Sequence, residues 1–360
     1  MSLESPALVD ALVAWSAGHL ASRDSRYRCT ALEARSNSLR SLATSLASSG
    51  SASEINAAIS LILMTSEVCL GLHTNWYSHL SGTKQIIMAA QSPSSIKGPS
   101  LVGPDALKQT SEGQWILRNF AYHDVLGSVT LGTKPLIQSQ YLAGITDVVD
   151  TYLGVASGIL ASISYISCLE GPTLVHDFIR CNEQNEIGYN CFMLIEQKLK
   201  TWVCSSGTSL ALASLAYTYR HSALIYLYRR IIRALNRQLV LPEFQHQHFI
   251  RDLHWKIQSE VLAVVQHVKN IPLNEIVESA LLFPLFMAGC ETKESVQMDF
   301  FAMRLDSMLR KRHFHNIQQA WDVLREIWER RRGQNLSMSD YDDLDWEDVV
   351  KSQEKELLLT

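Results

Sequence analysis

Three patterns in this 360-residue chain bring reactive side chains close enough together to be tested as chemistry. Asp342-Asp343-Leu344-Asp345 is an aspartate-rich run of the type that holds magnesium between carboxylates on facing helices. Only 15 residues follow Asp345, too few for a second, facing run, so a solvated charge cluster is the expected reading. Gly154-Val-Ala-Ser157-Gly158 places its serine fourth rather than third, and no strand pattern precedes it, so it does not build a nucleophile elbow. His246 and His248, like His313 and His315, lie two residues apart, which on a helix splays the imidazoles; zinc needs i, i+4 spacing or converging loops. A Gly-rich phosphate loop and a dinucleotide fingerprint are both missing. The sequence therefore offers no catalytic residue, no cofactor-binding residue and no metal ligand, and an enzyme is not expected. A helical lipid- or isoprenoid-type enzyme is the alternative, and it would need a carboxylate-rich cavity.

The charge pattern argues against a nucleic-acid binder acting through its overall field. Lys and Arg number 32 against 36 Asp and Glu, a net charge of −4, whereas non-specific DNA binding rests on neutralising phosphates. Arg229, Arg233 and Arg237 form a stripe at i, i+4, i+8, and Arg310–Arg312 and Arg330–Arg332 are short basic clusters. A solvated helix face paired with neighbouring acids is the expected reading of all three; contact with phosphate is the other. Two further charges stand among apolar neighbours: Arg220 in an aromatic helix, and Glu291 at the end of Leu281–Cys290. A charge so placed is costly unless paired, so Arg220 is expected to meet Glu291 or Asp124 inside the fold, with a snorkelling arginine as the alternative.

The elements that must position these residues are helical. Ile317, Ala320, Trp321, Leu324, Ile327 and Trp328 recur at three- and four-residue steps, as do Leu224, Leu227, Ile231 and Leu235, and Leu61, Met64, Val68 and Leu72. Ser111-Glu-Gly-Gln114 has the form of a capping box ahead of Trp115. Breaks are expected at Gln91–Pro104, Gly132–Gln138 and Leu239–Glu243, where Pro, Gly and Ser collect. No sustained apolar/polar alternation is present, so the expected fold is all-α, with ten to twelve antiparallel helices in one large multilayer domain. Apolar residues make up 47% and charged residues 19%, a balance that excludes a disordered chain.

Thr151–Leu169 is free of charge for 19 residues, but four serines and two glycines dilute it and no aromatic–basic belt flanks it. A buried helix is expected there, and a membrane-associated protein is the minor alternative. The seven cysteines are scattered, with no Cys-x-x-Cys pair, as expected of free thiols in a reducing compartment. From Ser339 on, eight acidic residues meet two lysines, and a solvated terminus is expected ahead of a docking segment. The expected organisation is a Ser-rich helical segment over 1–50, a main body over 51–335 and an acidic tail over 336–360.

One set of residues points further. Trp76-Tyr77-Ser-His79-Leu80-Ser81-Gly82 resembles the W-x-x-H-L-x-G element of the fungal-specific transcription factor domain, the regulatory region of zinc binuclear-cluster transcription factors. Further pieces are similar to that family in the same order: Arg118–Leu126 with Asp124, Pro135–Ile137 with Tyr141-Leu142, Tyr219–Arg230 with Arg220 and Tyr226, Phe283–Glu291, and the Asn316–Trp346 region. The resemblance implies an all-helical nuclear region without catalysis that regulates transcription. Its partners would be the transcription machinery or other regulatory proteins, a homodimer or heterodimer mate, or a small apolar effector held between helices. In that reading Trp76, His79, Gly82, Asp124, Arg220, Tyr226 and Glu291 are structural motif residues. The family's DNA-binding module needs six clustered cysteines, and the first 60 residues hold only Cys29. Direct DNA contact and membrane insertion by this chain are therefore not expected.

Overall fold

The computed structural model describes residues 5–49, 54–71, 76–92, 100–150, 152–183, 191–237, 243–273, 275–333, 345–353 and 357–360. Among them it contains fifteen α-helices and no strand, only isolated bridges at Gln91–Val102 and Asp150–Gly154. The fold is all-α. The count exceeds ten to twelve partly because four-residue and seven-residue helices are too short for periodicity to announce.

The chain divides into two compact units. The first comprises residues 1–124, 136–145 and 312–318. It contains α1 (Pro6–Ala21), α2 (Arg28–Ser49), α3 (Glu54–Leu70), α4 (Trp76–Ala89), α5 (Pro104–Leu107) and α6 (Ser111–Leu131) as far as Asp124. Ser5 caps α1 by accepting the Leu8 N–H, and Pro6 opens the helix where its missing N–H costs nothing. A cluster of Leu8, Ala11, Leu42, Ala58, Ile59 and Leu63 packs α1, α2 and α3 together. At α6 the cap lies one residue earlier than the expected capping box. Thr110 Oγ1 accepts the Gly113 N–H at 3.0 Å, while Gln114 turns its amide to the Lys108 carbonyl at 2.9 Å.

The second unit comprises residues 125–135, 146–311 and 319–360. It is built from α7 (Ser157–Cys168), α8 (Gly171–Glu183), α9 (Cys191–Thr201), α10 (Leu210–Arg237), α11 (Glu243–Lys269), α12 (Leu282–Glu291), α13 (Ser295–Arg312), most of α14 (His315–Gly333) and α15 (Trp346–Ser352). Its organising element is α10, buried on nearly every side from Ser214 to Leu235. A helix apolar all round belongs in an interior, and this one keeps its polar groups satisfied. Tyr219 donates to the Ala280 carbonyl at 2.9 Å, Tyr226 and Ser167 share a hydrogen bond of 3.1 Å, and Tyr228 donates to Glu196 at 2.6 Å.

Within Thr151–Leu169 the helix is only the twelve residues of α7, well short of the roughly 20 a membrane span requires. No helix among the described residues is long and apolar enough to cross a membrane. The expected periodic stripes are buried at Leu61, Met64, Val68, Leu224, Leu227, Ile231, Leu235, Ile317, Ala320, Leu324, Ile327 and Trp328. Leu72 and Leu239–Pro242 lie outside the described residues.

Gly113 is the glycine that packing demands most. A Cβ there would stand 2.0 Å from the Leu107 carbonyl oxygen, a backbone atom that cannot step aside. Gly113→Ala is expected to destabilise the protein by about 1–3 kcal/mol, as overpacking does, seen as a lower urea midpoint. Gly82→Ala, in the interior of α4 where the added Cβ meets nothing within 4 Å, is expected to raise stability by about 0.5–1 kcal/mol.

Candidate functional site

The motif residues divide between the two units and serve as buried polar joints. In the first unit Trp76 is buried and makes an edge contact with Tyr77. His79, one turn on, places Nε2 3.3 Å from Glu67 Oε1, and the same oxygen accepts from Arg35 of α2. Burial pushes the Glu67 carboxyl up, but His79 and Arg35 together hold it below the usual carboxylate range. The His79 carbonyl also accepts from Ser60 at 3.1 Å, so this motif staples α4 to α3. Gly82 touches nothing that would require a glycine, and nothing in the structure explains it.

Asp124 is buried and aims at backbone. Its two oxygens accept the N–H groups of Leu136 and Ile137 at 2.8 and 3.1 Å, pinning the Gly132–Gln138 break. Burial lifts its carboxyl to about 6, against the pull of those two amides and of Lys84. Next to it, complete burial drops His123 to about 3, so the imidazole is neutral in the fold.

In the second unit the pairing differs from the sequence expectation. Glu291 is held by Arg229, whose Nε donates at 2.5 Å, and both side chains are under 10% exposed. Gln258 binds the Glu291 carbonyl at 2.8 Å, Trp328 donates to the Gly289 carbonyl at 2.9 Å, and Arg331 donates to the Thr292 carbonyl at 3.3 Å. The end of α12 is thus gripped from α10, α11 and α14. Arg220 meets neither Glu291 nor Asp124. It donates to the Trp202 carbonyl at 3.2 Å, lies 4.9 Å over the Tyr217 ring and contacts His221 Nε2 at 3.0 Å. His221 in turn faces Glu260 at 2.5 Å and stacks with His267, which burial first, then His221 and Arg220, lower to about 4. The physical reason is rotational. Nine residues at 3.6 per turn put Arg220 and Arg229 on opposite sides of α10.

The arginine stripe is a second correction. Arg229 is interior, and Arg233 binds Asp345 at 2.7 Å, Glu347 at 2.9 Å and Asp348 at 3.0 Å; only Arg237 at the helix end is exposed. The acidic segment is therefore docked over its described part rather than solvated. Asp345 caps α15 through the Glu347 N–H, Trp346 is buried edge-on against Phe286, and Thr130 donates to the Leu357 carbonyl at 2.6 Å. Asp342 and Asp343 lie outside the described residues. Among the basic clusters, Arg330 pairs with Glu326 as expected of a surface face, while Arg331 is buried.

No group of three or more His, Cys, Asp or Glu among the described residues could hold a metal ion. Six of the seven cysteines, Cys29, Cys69, Cys168, Cys191, Cys204 and Cys290, are free and belong to separate helices or loops, so these six do not fit a zinc cluster. An apolar groove of about 370 Å³ opens in the first unit, lined by Leu8, Leu12, Ala58, Ile62 and Trp115 with Ser111 and Glu112 at its edge.

The chain belongs to the family of the fungal-specific transcription factor domain, whose sequence profile matches residues 1–360. No curated protein and no solved structure matches it.

Two measurements check this site. Removing one partner of the Arg229–Glu291 pair strands a buried charge, so Glu291→Ala is expected to cost about 3–5 kcal/mol, while Arg229→Met with Glu291→Leu recovers most of it; urea unfolding reads both. The unfolded His123 side chain takes up its proton near pH 6.5 and the folded one only near 3, so acidification across that window favours unfolding. Asp124 acts oppositely, losing stability as pH rises from about 4 to 6. Below pH 4 Asp124 is protonated in both states, and of the two only the histidine still acts. His123→Gln is expected to lose less stability than the parent chain on acidification from pH 6.5 to 3.

Proposed function

We propose that this protein is a nuclear regulator of transcription in fungi that works through protein partners and has no reactive centre. The single observation that carries the reading is the family match along residues 1–360. The structure supports it from below. The motif residues His79 and Tyr226 join helices, Asp124 pins a loop, and the charged pairs at Glu67 and Glu291 are closed on themselves rather than aimed into a cleft. In this reading the chain reaches its genes through the transcription machinery or a related regulator. A small apolar effector would have to enter at the groove of Leu8, Leu12 and Trp115, where the exposed Leu12 and Glu112 leave one side open. Small-ligand sites bury most of their ligand, so this opening favours a protein surface over a metabolite.

Tethering tests the proposal. Fused to a foreign DNA-binding domain, the full chain is expected to change reporter transcription several-fold in a fungal host. An unchanged reporter with the fusion present in the nucleus contradicts it.

A further inference from the structure

Helix α11 buries Leu253, Ile257, Val261, Val264 and Val268 and packs against α10 and α12. Its outer face is not the purely polar surface such a helix ordinarily presents. Phe244 is 83% exposed, Trp255 71% and Leu262 49%. At 100° per residue these three lie within about 20° of one line, which runs roughly 27 Å along the helix. Trp255 is also the one exposed tryptophan of the eight in the chain. Charge on this face has one sign. Arg251 is exposed on the same line and, among the described residues, reaches only His248 Nδ1, at 3.4 Å. Lys269 continues the line at the helix end. The described carboxylates of α11 are engaged elsewhere. Asp252 stands about a quarter turn aside, with Lys256 at 3.4 Å, and Glu260 faces His221 of α10.

We propose that this face of α11 docks an acidic amphipathic helix of another protein, apolar along one side and carrying Glu or Asp beside it. Phe244, Trp255 and Leu262 supply the apolar contact, and Arg251 receives a carboxylate in a charge-assisted hydrogen bond. Exposed Trp and Arg side by side are the residue types that most often anchor an interface. The charges select this occupant over the others. A second copy meeting the face through its own α11 would set arginine beside arginine, since a two-fold interface pairs a surface with itself. Nucleic acid needs more cations than Arg251 and Lys269 to neutralise its phosphates. A bilayer takes a continuous apolar face, and here the exposed Gln247, His248, Ser259 and Gln266 interrupt it. The inference rests on the surface of α11 and not on the transcriptional reading, so an unchanged reporter and a failed binding test are separate results.

Fluorescence anisotropy on the full chain tests it, with a labelled synthetic helix of about 20 residues, long enough to span the line. The probe carries Leu and Phe on one side and Glu beside them; a control replaces every Glu by Lys. The parent chain is expected to bind the Glu helix saturably and the Lys helix at least about tenfold more weakly. Trp255→Ala, at an exposed position, is expected to weaken the Glu helix about tenfold or more with an unchanged circular-dichroism melt. Arg251→Glu is expected to reverse the preference between the two helices, which a merely structural arginine would not do. No saturable binding of the Glu helix overturns the proposal, and so does binding that Trp255→Ala leaves intact. Adsorption to phosphatidylserine vesicles that Trp255→Ala abolishes overturns it in favour of a membrane, and self-association that Trp255→Ala abolishes does so in favour of a second copy.

Discussion

Charge buried beside α10 is the constraint on which the second unit depends. An arginine inside an apolar interior is costly unless it is paired. Arg229 is answered by Glu291, and Arg233, one turn further, by Asp345, Glu347 and Asp348. Burial pulls the Arg233 guanidinium down, and the three carboxylates more than reverse that. The two arginines therefore dictate where α12 and α15 lie against α10. A third buried pair, Arg304 with Glu278 at 3.2 Å, sets α13 against the segment that leads into α12. Burying such pairs adds little net stability compared with well-packed apolar residues. What they add is specificity of arrangement, since any other packing leaves a naked charge.

The first unit follows the same logic with smaller means. Glu67 receives His79 and Arg35, and Asp124 receives two backbone amides. In both units a carboxylate on one element collects donors from others. Polar chemistry is spent on joining helices and pinning loops.

The helices were legible in the sequence because their apolar periods are long and regular, as in Leu224–Leu235 and Ile317–Trp328. That buried charges must pair was legible too, and Glu291 was one of the two carboxylates expected to meet Arg220. Its actual partner was not legible, because the choice between Arg220 and Arg229 depends on which side of α10 is covered by α12. The signal for Arg229 was present in its neighbours: Tyr226, Leu227, Tyr228, Ile231 and Ile232 leave no polar side for it to face. The acidic tail misled for a related reason. Its composition reads as solvated, but Trp346 and Leu357–Leu359 carry enough apolar area to hold the segment down once Arg233 receives its carboxylates.

Hydrogen exchange at the amides of residues 346–352, compared between the parent chain and Arg233→Met, tests most directly whether the α10 arginines hold the structure around them. The account predicts that these amides are protected in the parent chain and exchange at least tenfold faster in the variant, while α10 and α12 keep their protection. Equal protection of 346–352 in the two proteins would contradict it.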